Sequence, residues 1–113
     1  MSKATAQPLG WVKFWKPTDD WYYLEPASRQ AYLDSYGRCV ARATERGARL
    51  LGTYKCRGQS RWARFEVWEF PDVQVIIDFT NDLEEVGHYQ YFAEENTVGR
   101  RYERTGNAET WVI

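Results

Sequence analysis

Large apolar side chains recur on both faces of the predicted strands, which limits the chain to folds that can cover a sheet twice. Six Trp, eight Tyr and five Phe fall within 113 residues. Side chains alternate along a strand, so in residues 61–70 Ala63, Phe65 and Val67 point one way, while Trp62, Arg64, Trp68 and Phe70 point the other. In residues 9–16 Trp11 and Trp15 oppose Val12 and Phe14, and in residues 48–57 Leu50 and Tyr54 oppose Leu51. Two helices cover one face of an antiparallel sheet, and an apolar second face is not left wet. Burying such a face stabilises by several kcal/mol at roughly 25 cal/mol per Å². A second copy of the sheet is the simplest cover, which predicts a homodimer. The surplus of rings also predicts a hydrophobic small-molecule ligand.

The element order reads strand–helix–strand–strand–helix–strand. Residues 1–8 read as a flexible leader, and 9–113 as one domain. The first strand, 9–16, stops at Pro17. Residues 18–24 form a loop whose Trp21, Tyr22 and Tyr23 suit a pocket lid or packing across a dimer. Ser28 can cap a helix carrying Tyr32, Tyr36, Cys39 or Val40, and Ala43 at helical spacing, and Gly47 closes it. Strands 48–57 and 61–70 make a hairpin across Gly58, Gln59 and Ser60. Asp72 is placed to cap a second helix with Val73, Ile76, Ile77, Thr80 and Leu83 on one face. The β-branched run from Val73 also suits a strand, but the acidic residues 82–85 and Gly87 favour a helix ending near Val86. Residues 88–95 follow as a short irregular or helical piece, 96–105 as the fourth strand and 110–113 as a short edge strand.

Composition excludes several classes of function. A net charge of −1 and a pI near 5.8 supply no pull toward nucleic acid or an anionic membrane. No run of about 18 apolar residues is present, and residues 1–8 lack the apolar stretch of a signal peptide. Cys39 and Cys56 read as free thiols in a reducing cytoplasm. A single histidine, His88, leaves no partner for a shared metal site, so no metal is expected. An RNA-recognition motif has the same element order, and residues 61–68 echo its aromatic third strand. Against it stand Trp62 where a glycine belongs, Glu66 among the stacking positions and the weakly negative charge.

On this element order, on Trp68-Glu69-Phe70-Pro71 leading into a helix, and on Gly87-His88-Tyr89-Gln90-Tyr91-Phe92 after it, the chain resembles the dimeric α+β barrel superfamily. The resemblance spans residues 9–103 and points to a small branch similar to antibiotic-biosynthesis-monooxygenase-like proteins. It implies a ferredoxin-like βαββαβ domain with two helices on one face of an antiparallel sheet, and sheets paired across a two-fold axis. The superfamily includes cofactor-free monooxygenases, cyclases, isomerases, haem-dependent enzymes and ligand-binding regulators. Their sites usually lie between the sheet and its helices.

His88 is the first candidate for chemistry, since histidine titrates near neutrality and can act as a general base. A small dehydratase-like branch pairs His with Asp, which nominates Asp78 and Asp82. Asp78 lies ten residues before His88, about 15 Å along a helix, so a direct pair requires the chain to double back at Gly87. Haem-binding members place an axial histidine near the second helix, and here that could be His88 alone. Cofactor-free monooxygenases of the superfamily bind phenols beside Trp, Tyr, Asn and Arg, and by residue type Tyr54, Trp68, Asn96 and Arg100 match. The expectation is therefore cofactor-independent oxygenation, isomerisation or cyclisation of an aromatic or polyketide-like substrate. In it His88 is the base, Asn96 and Arg100 stabilise the anion, Tyr54 and Trp68 position the ring, and Trp21, Tyr22 and Tyr23 complete the pocket. A non-catalytic small-molecule-binding or accessory subunit is the alternative.

Overall fold

The structure, a computed structural model, describes residues 7–102. Its elements run β1 (Leu9–Pro17), α1 (Asp19–Tyr22), α2 (Pro26–Glu45), β2 (Arg49–Lys55), β3 (Arg64–Phe70), α3 (Val73–Glu85), α4 (His88–Tyr91) and β4 (Phe92–Arg100). The strands form one antiparallel sheet in the order β2-β3-β1-β4. This is the ferredoxin-like α+β fold, with α2 and α3 on one face. The expected edge strand at 110–113 and most of the expected leader lie outside the described residues.

Local chemistry sets the phase of each helix. Proline's ring pre-sets a helical φ, so Pro26 starts α2 and Glu25 rather than Ser28 stands at its cap. Tyr32, Cys39 and Ala43 are its buried stripe, flanked by Tyr36 and Val40. In α3, Asp72 caps the first turn by accepting the Val75 N–H at 3.0 Å. That cap and the packing of the apolar stripe override the β-branched propensity of the opening residues. The stripe is Val75, Phe79 and Leu83 with Ile76 packed beside it, so of the expected face Leu83 and Ile76 turn inward while Val73 and Ile77 are exposed. Trp11 from β1 is the hub of the core, 5.2 Å from Phe70 and 6.0 Å from Phe79 in an edge-to-face contact.

A bulge alters the reading of β2. Leu50 pairs with Trp68 but Gly52 pairs with Val67, so Leu51 is an extra residue in the ladder. Leu50 and Tyr54, expected on one face, end on opposite faces. Tyr54 stacks on Phe65 at 5.0 Å, and Phe65 meets Phe14 at 5.5 Å. The Tyr54 side chain lies over Gly52, where an added Cβ would sit 2.6 Å from the hydroxyl oxygen. Val12, Phe14, Phe65 and Val67 are half-buried on this helix-free face. Residues 56–63 are not strand, so alternation does not reach Trp62: its indole N–H donates to Glu95 at 3.3 Å, and Lys16 and Arg61, not Arg64, lie over its ring.

Candidate functional site

The helix-facing side of the sheet divides into an apolar half and a charged half. Along β1, Trp11, Lys13 and Trp15 share that side, and Lys13 is as deeply buried as Trp11. Glu66 stands opposite Lys13 on β3 and Asn96 stands opposite it on β4. Lys13 Nζ lies 3.3 Å from Glu94 and 3.7 Å from Glu66, and donates to the Tyr36 hydroxyl at 3.4 Å. Glu66 in turn accepts the indole N–H groups of Trp68 at 2.9 Å and Trp15 at 3.2 Å.

His88 enters this network from the opposite end. Gly87 takes a left-handed φ of 79° before the single turn of α4, and this turn carries the His88 side chain inward, where it is 4% exposed. A Cβ at Gly87 meets only Tyr91, at 3.9 Å, so Gly87→Ala tests the backbone alone. It is expected to destabilise by about 1–2 kcal/mol in urea unfolding, and an unchanged midpoint would contradict this account of the turn.

The His88 ring contacts the Tyr32 hydroxyl through Nδ1 and the Glu94 carboxylate through Nε2. An ionised carboxylate only accepts, so Nε2 carries a proton and donates to Glu94. In the neutral tautomer Nδ1 is then an acceptor, and the Tyr32 O–H donates to it. Asn96 Nδ2 donates to the other oxygen of Glu94 at 3.3 Å. Parallel rings sandwich the imidazole, Tyr36 at 5.6 Å and Phe92 at 5.4 Å.

Burial and charge oppose each other here, and charge wins at the ionic groups. Burial alone would lower the Lys13 pKa, but Tyr36, Glu94 and Glu66 together carry it above its ordinary value. Burial would likewise raise Glu94, yet the His88 bond and the Lys13 charge hold its carboxyl below the usual range. Tyr32 and Tyr36 are pushed up, chiefly by burial, and stay protonated phenols at neutral pH. Among the described residues no buried side-chain nitrogen or oxygen lacks a partner.

This network forms one wall of a cavity of about 190 Å³ between the sheet and α2, with Trp15, Tyr32, Tyr36 and Phe92 supplying rings and Leu33 an aliphatic edge. An apolar cavity of roughly 150 Å³ holds a benzene molecule, so the space is large enough for one ring.

Of the residues nominated from sequence, only His88 lines the cavity. Trp68 stands one layer back, joined to it through Glu66. Trp21 packs behind the wall, 5.0 Å from Phe92 and 5.7 Å from Tyr32, while Tyr22 and Tyr23 are exposed. Asn96 is exposed and reaches the network through Glu94. Tyr54 is on the opposite sheet face, and Arg100 borders a separate depression with Gly10 and Glu69. Asp78 and Asp82 are turned away, bound to Arg46 and Arg42, so Glu94 holds the place an aspartate was expected to fill.

Lys13, Glu66 and Glu94 were missed. Lys13 falls in phase with two inward Trp residues, and Glu66 with Trp68 and Phe70, a pattern that marks buried charge in a strand. Glu94 was hidden because β4 begins at Phe92, four residues earlier than the expected strand.

Haem ligation through His88, one of the uses implied by the resemblance, does not fit these residues. Both ring nitrogens are engaged, by Tyr32 and Glu94, and iron requires a free nitrogen lone pair.

Solved structures share the fold. A candidate chlorite dismutase, TA0507, superposes with a TM-score of 0.70 at 20% identity over 87% of this chain and 45% of that one. A mutant chlorite dismutase from Candidatus Nitrospira defluvii gives 0.68 at 14% identity over 87% and 42%. That organism's enzyme in complex with imidazole gives 0.67 at 14% over 83% and 40%. The chain thus spans less than half the length of these proteins, and at such identities the likeness is one of fold. No curated protein sequence matches the chain. The model of one family, described as a family of unknown function, DUF6616, matches residues 10–111, nearly the whole sequence, and the chain belongs to that family.

Proposed function

We propose that the protein is a small-molecule enzyme that transfers a proton on a compact, single-ring substrate held between the sheet and α2. The observation that carries this reading is the buried chain Tyr32–His88–Glu94–Lys13 beside an aromatic cavity. Buried ion pairs stabilise a fold less than apolar residues of similar volume do, so such a cluster in a cleft marks a working site.

The order of the hydrogen bonds supports a relay. A substrate hydroxyl or acidic C–H gives its proton to the Tyr32 oxygen as the phenolic proton passes to His88 Nδ1. The imidazolium so formed is held by Glu94, which Lys13 and Asn96 keep ionised and oriented. Tyr36 and Lys13 border the developing anion. Running the relay backward delivers the proton to a second atom, which completes an isomerisation or cyclisation. Proton removal is also the first step of cofactor-free oxygenation. In this reading His88 keeps the role of base, through Tyr32, while Asn96 positions Glu94 and Arg100 takes no part.

The test is hydrogen–deuterium exchange at the acidic positions of phenyl ketones and phenols in D₂O, followed by proton NMR. Tyr32→Phe and His88→Gln are each expected to slow exchange about 10²–10⁴-fold. Ligand-induced shifts without any exchange would turn the reading toward a non-catalytic binding subunit.

The apolar sheet face supports a homodimer, with Phe14, Phe65 and Tyr54 of one copy against those of another. Native mass spectrometry should show twice the chain mass for the wild type and a single chain for Phe65→Glu; a wild-type monomer would end that proposal. The thiols of Cys39 and Cys56, both free, suit a reducing cytoplasm.

A further inference from the structure

Two carboxylates beside the cavity share one ammonium. Glu66 and Glu94 both lie within ion-pair distance of Lys13, and among the described residues no other lysine or arginine lies as near to either. Among the described residues no arginine is ion-paired with either carboxylate. Arg64, next to Glu66 on that face of β3, donates to the Ala63 carbonyl at 3.3 Å, while Arg42, Arg46, Arg49 and Arg61 are paired with Asp82, Asp78, Glu69 and Glu95. The cavity wall is aromatic, and ring faces attract cations through their quadrupoles. Lys13 already shows this, with its Nζ 5.5 Å from the Tyr36 ring centre.

We infer that the cavity takes a small protonated amine on a single-ring body, its ammonium drawn to Glu66 and the rings and its reacting group to Tyr32. The inference rests on the reading of this cavity as the substrate site and names the substrate class. An amine supplies the one positive charge that the cluster lacks. A carboxylate would place a third negative charge beside Glu66 and Glu94.

Three ligands of one shape separate the outcomes: benzylamine, benzyl alcohol and benzoate, titrated at neutral pH with chemical shifts of the cavity residues as readout. Benzylamine is expected to bind at least about ten-fold more tightly than benzyl alcohol, and benzoate to bind least. In Glu66→Gln the amine and the alcohol should converge. Equal binding of amine and alcohol, or tighter binding of benzoate, overturns the inference and leaves the single-ring site standing. Failure of all three to bind overturns both. Should Glu66→Gln not fold, the three wild-type titrations decide the matter.

Discussion

Lys13→Met is expected to lower the unfolding free energy by about 3–5 kcal/mol, the cost of leaving buried charge without its partner. Methionine fills much of the lysine's volume, so the loss reports on charge rather than on packing. Glu66 and Glu94 would face each other with no cation between them. The pH dependence should also reverse. In the wild type the folded-state pKa of Glu94 is below its ordinary value of 4.5. Its contribution is therefore complete above that value and drains away as the pH falls through the folded pKa. In the variant, two uncompensated carboxylates raise a folded-state pKa, and that contribution is present at low pH and lost as the pH rises. Urea midpoints of the wild type should hold steady from neutral pH down to 4.5 and fall only below it, whereas those of Lys13→Met should rise on acidification. A variant that follows the wild-type slope would show that Lys13 does not hold Glu94 ionised. Adding Glu66→Gln and Glu94→Gln to Lys13→Met should recover much of the lost stability.

Trp68→Ala is expected to cost about 3–5 kcal/mol, because a fully buried indole leaves a cavity that the sheet cannot close. Trp68 serves two roles, stacking 5.5 Å from Phe70 in the core and donating its N–H to Glu66 at 2.9 Å. Trp68→Phe separates them. It retains most of the ring packing and withdraws one donor from a buried carboxylate, an expected loss of about 1–3 kcal/mol. The two variants measured by the same urea titration thus divide packing from hydrogen bonding. A Phe variant as stable as the wild type would mean that Trp15 and Lys13 satisfy Glu66 without the Trp68 indole.

Much of the fold was legible in the chain. Alternation set Trp11 against Phe14 within β1 and Trp68 and Phe70 against Phe65 and Val67 within β3, and the register then places Trp11 beside Trp68. The caps at Asp72 and Gly87 bounded α3 correctly. Errors arose where one residue shifts a phase. The bulge at Leu51 moved Tyr54 to the far face, and the α3 stripe follows Val75 rather than Val73. The candidate site was less legible, since its carboxylates come from β3 and β4, and nothing local to Glu66 or Glu94 names His88 or Lys13 as a partner.

By itself, then, the sequence determined the element order, the doubly apolar sheet and the presence of one histidine at the end of a helix. Those follow from local propensity and from side-chain periodicity, which neighbouring residues encode. Only the tertiary structure decided that Lys13, 1% exposed, joins Glu66 and Glu94, and that His88 bridges Tyr32 to Glu94 beside an aromatic cavity. Tyr32 and His88 are 56 positions apart in the chain. Antiparallel register and helix docking bring such groups together, and these depend on packing across the whole sheet rather than on any single segment.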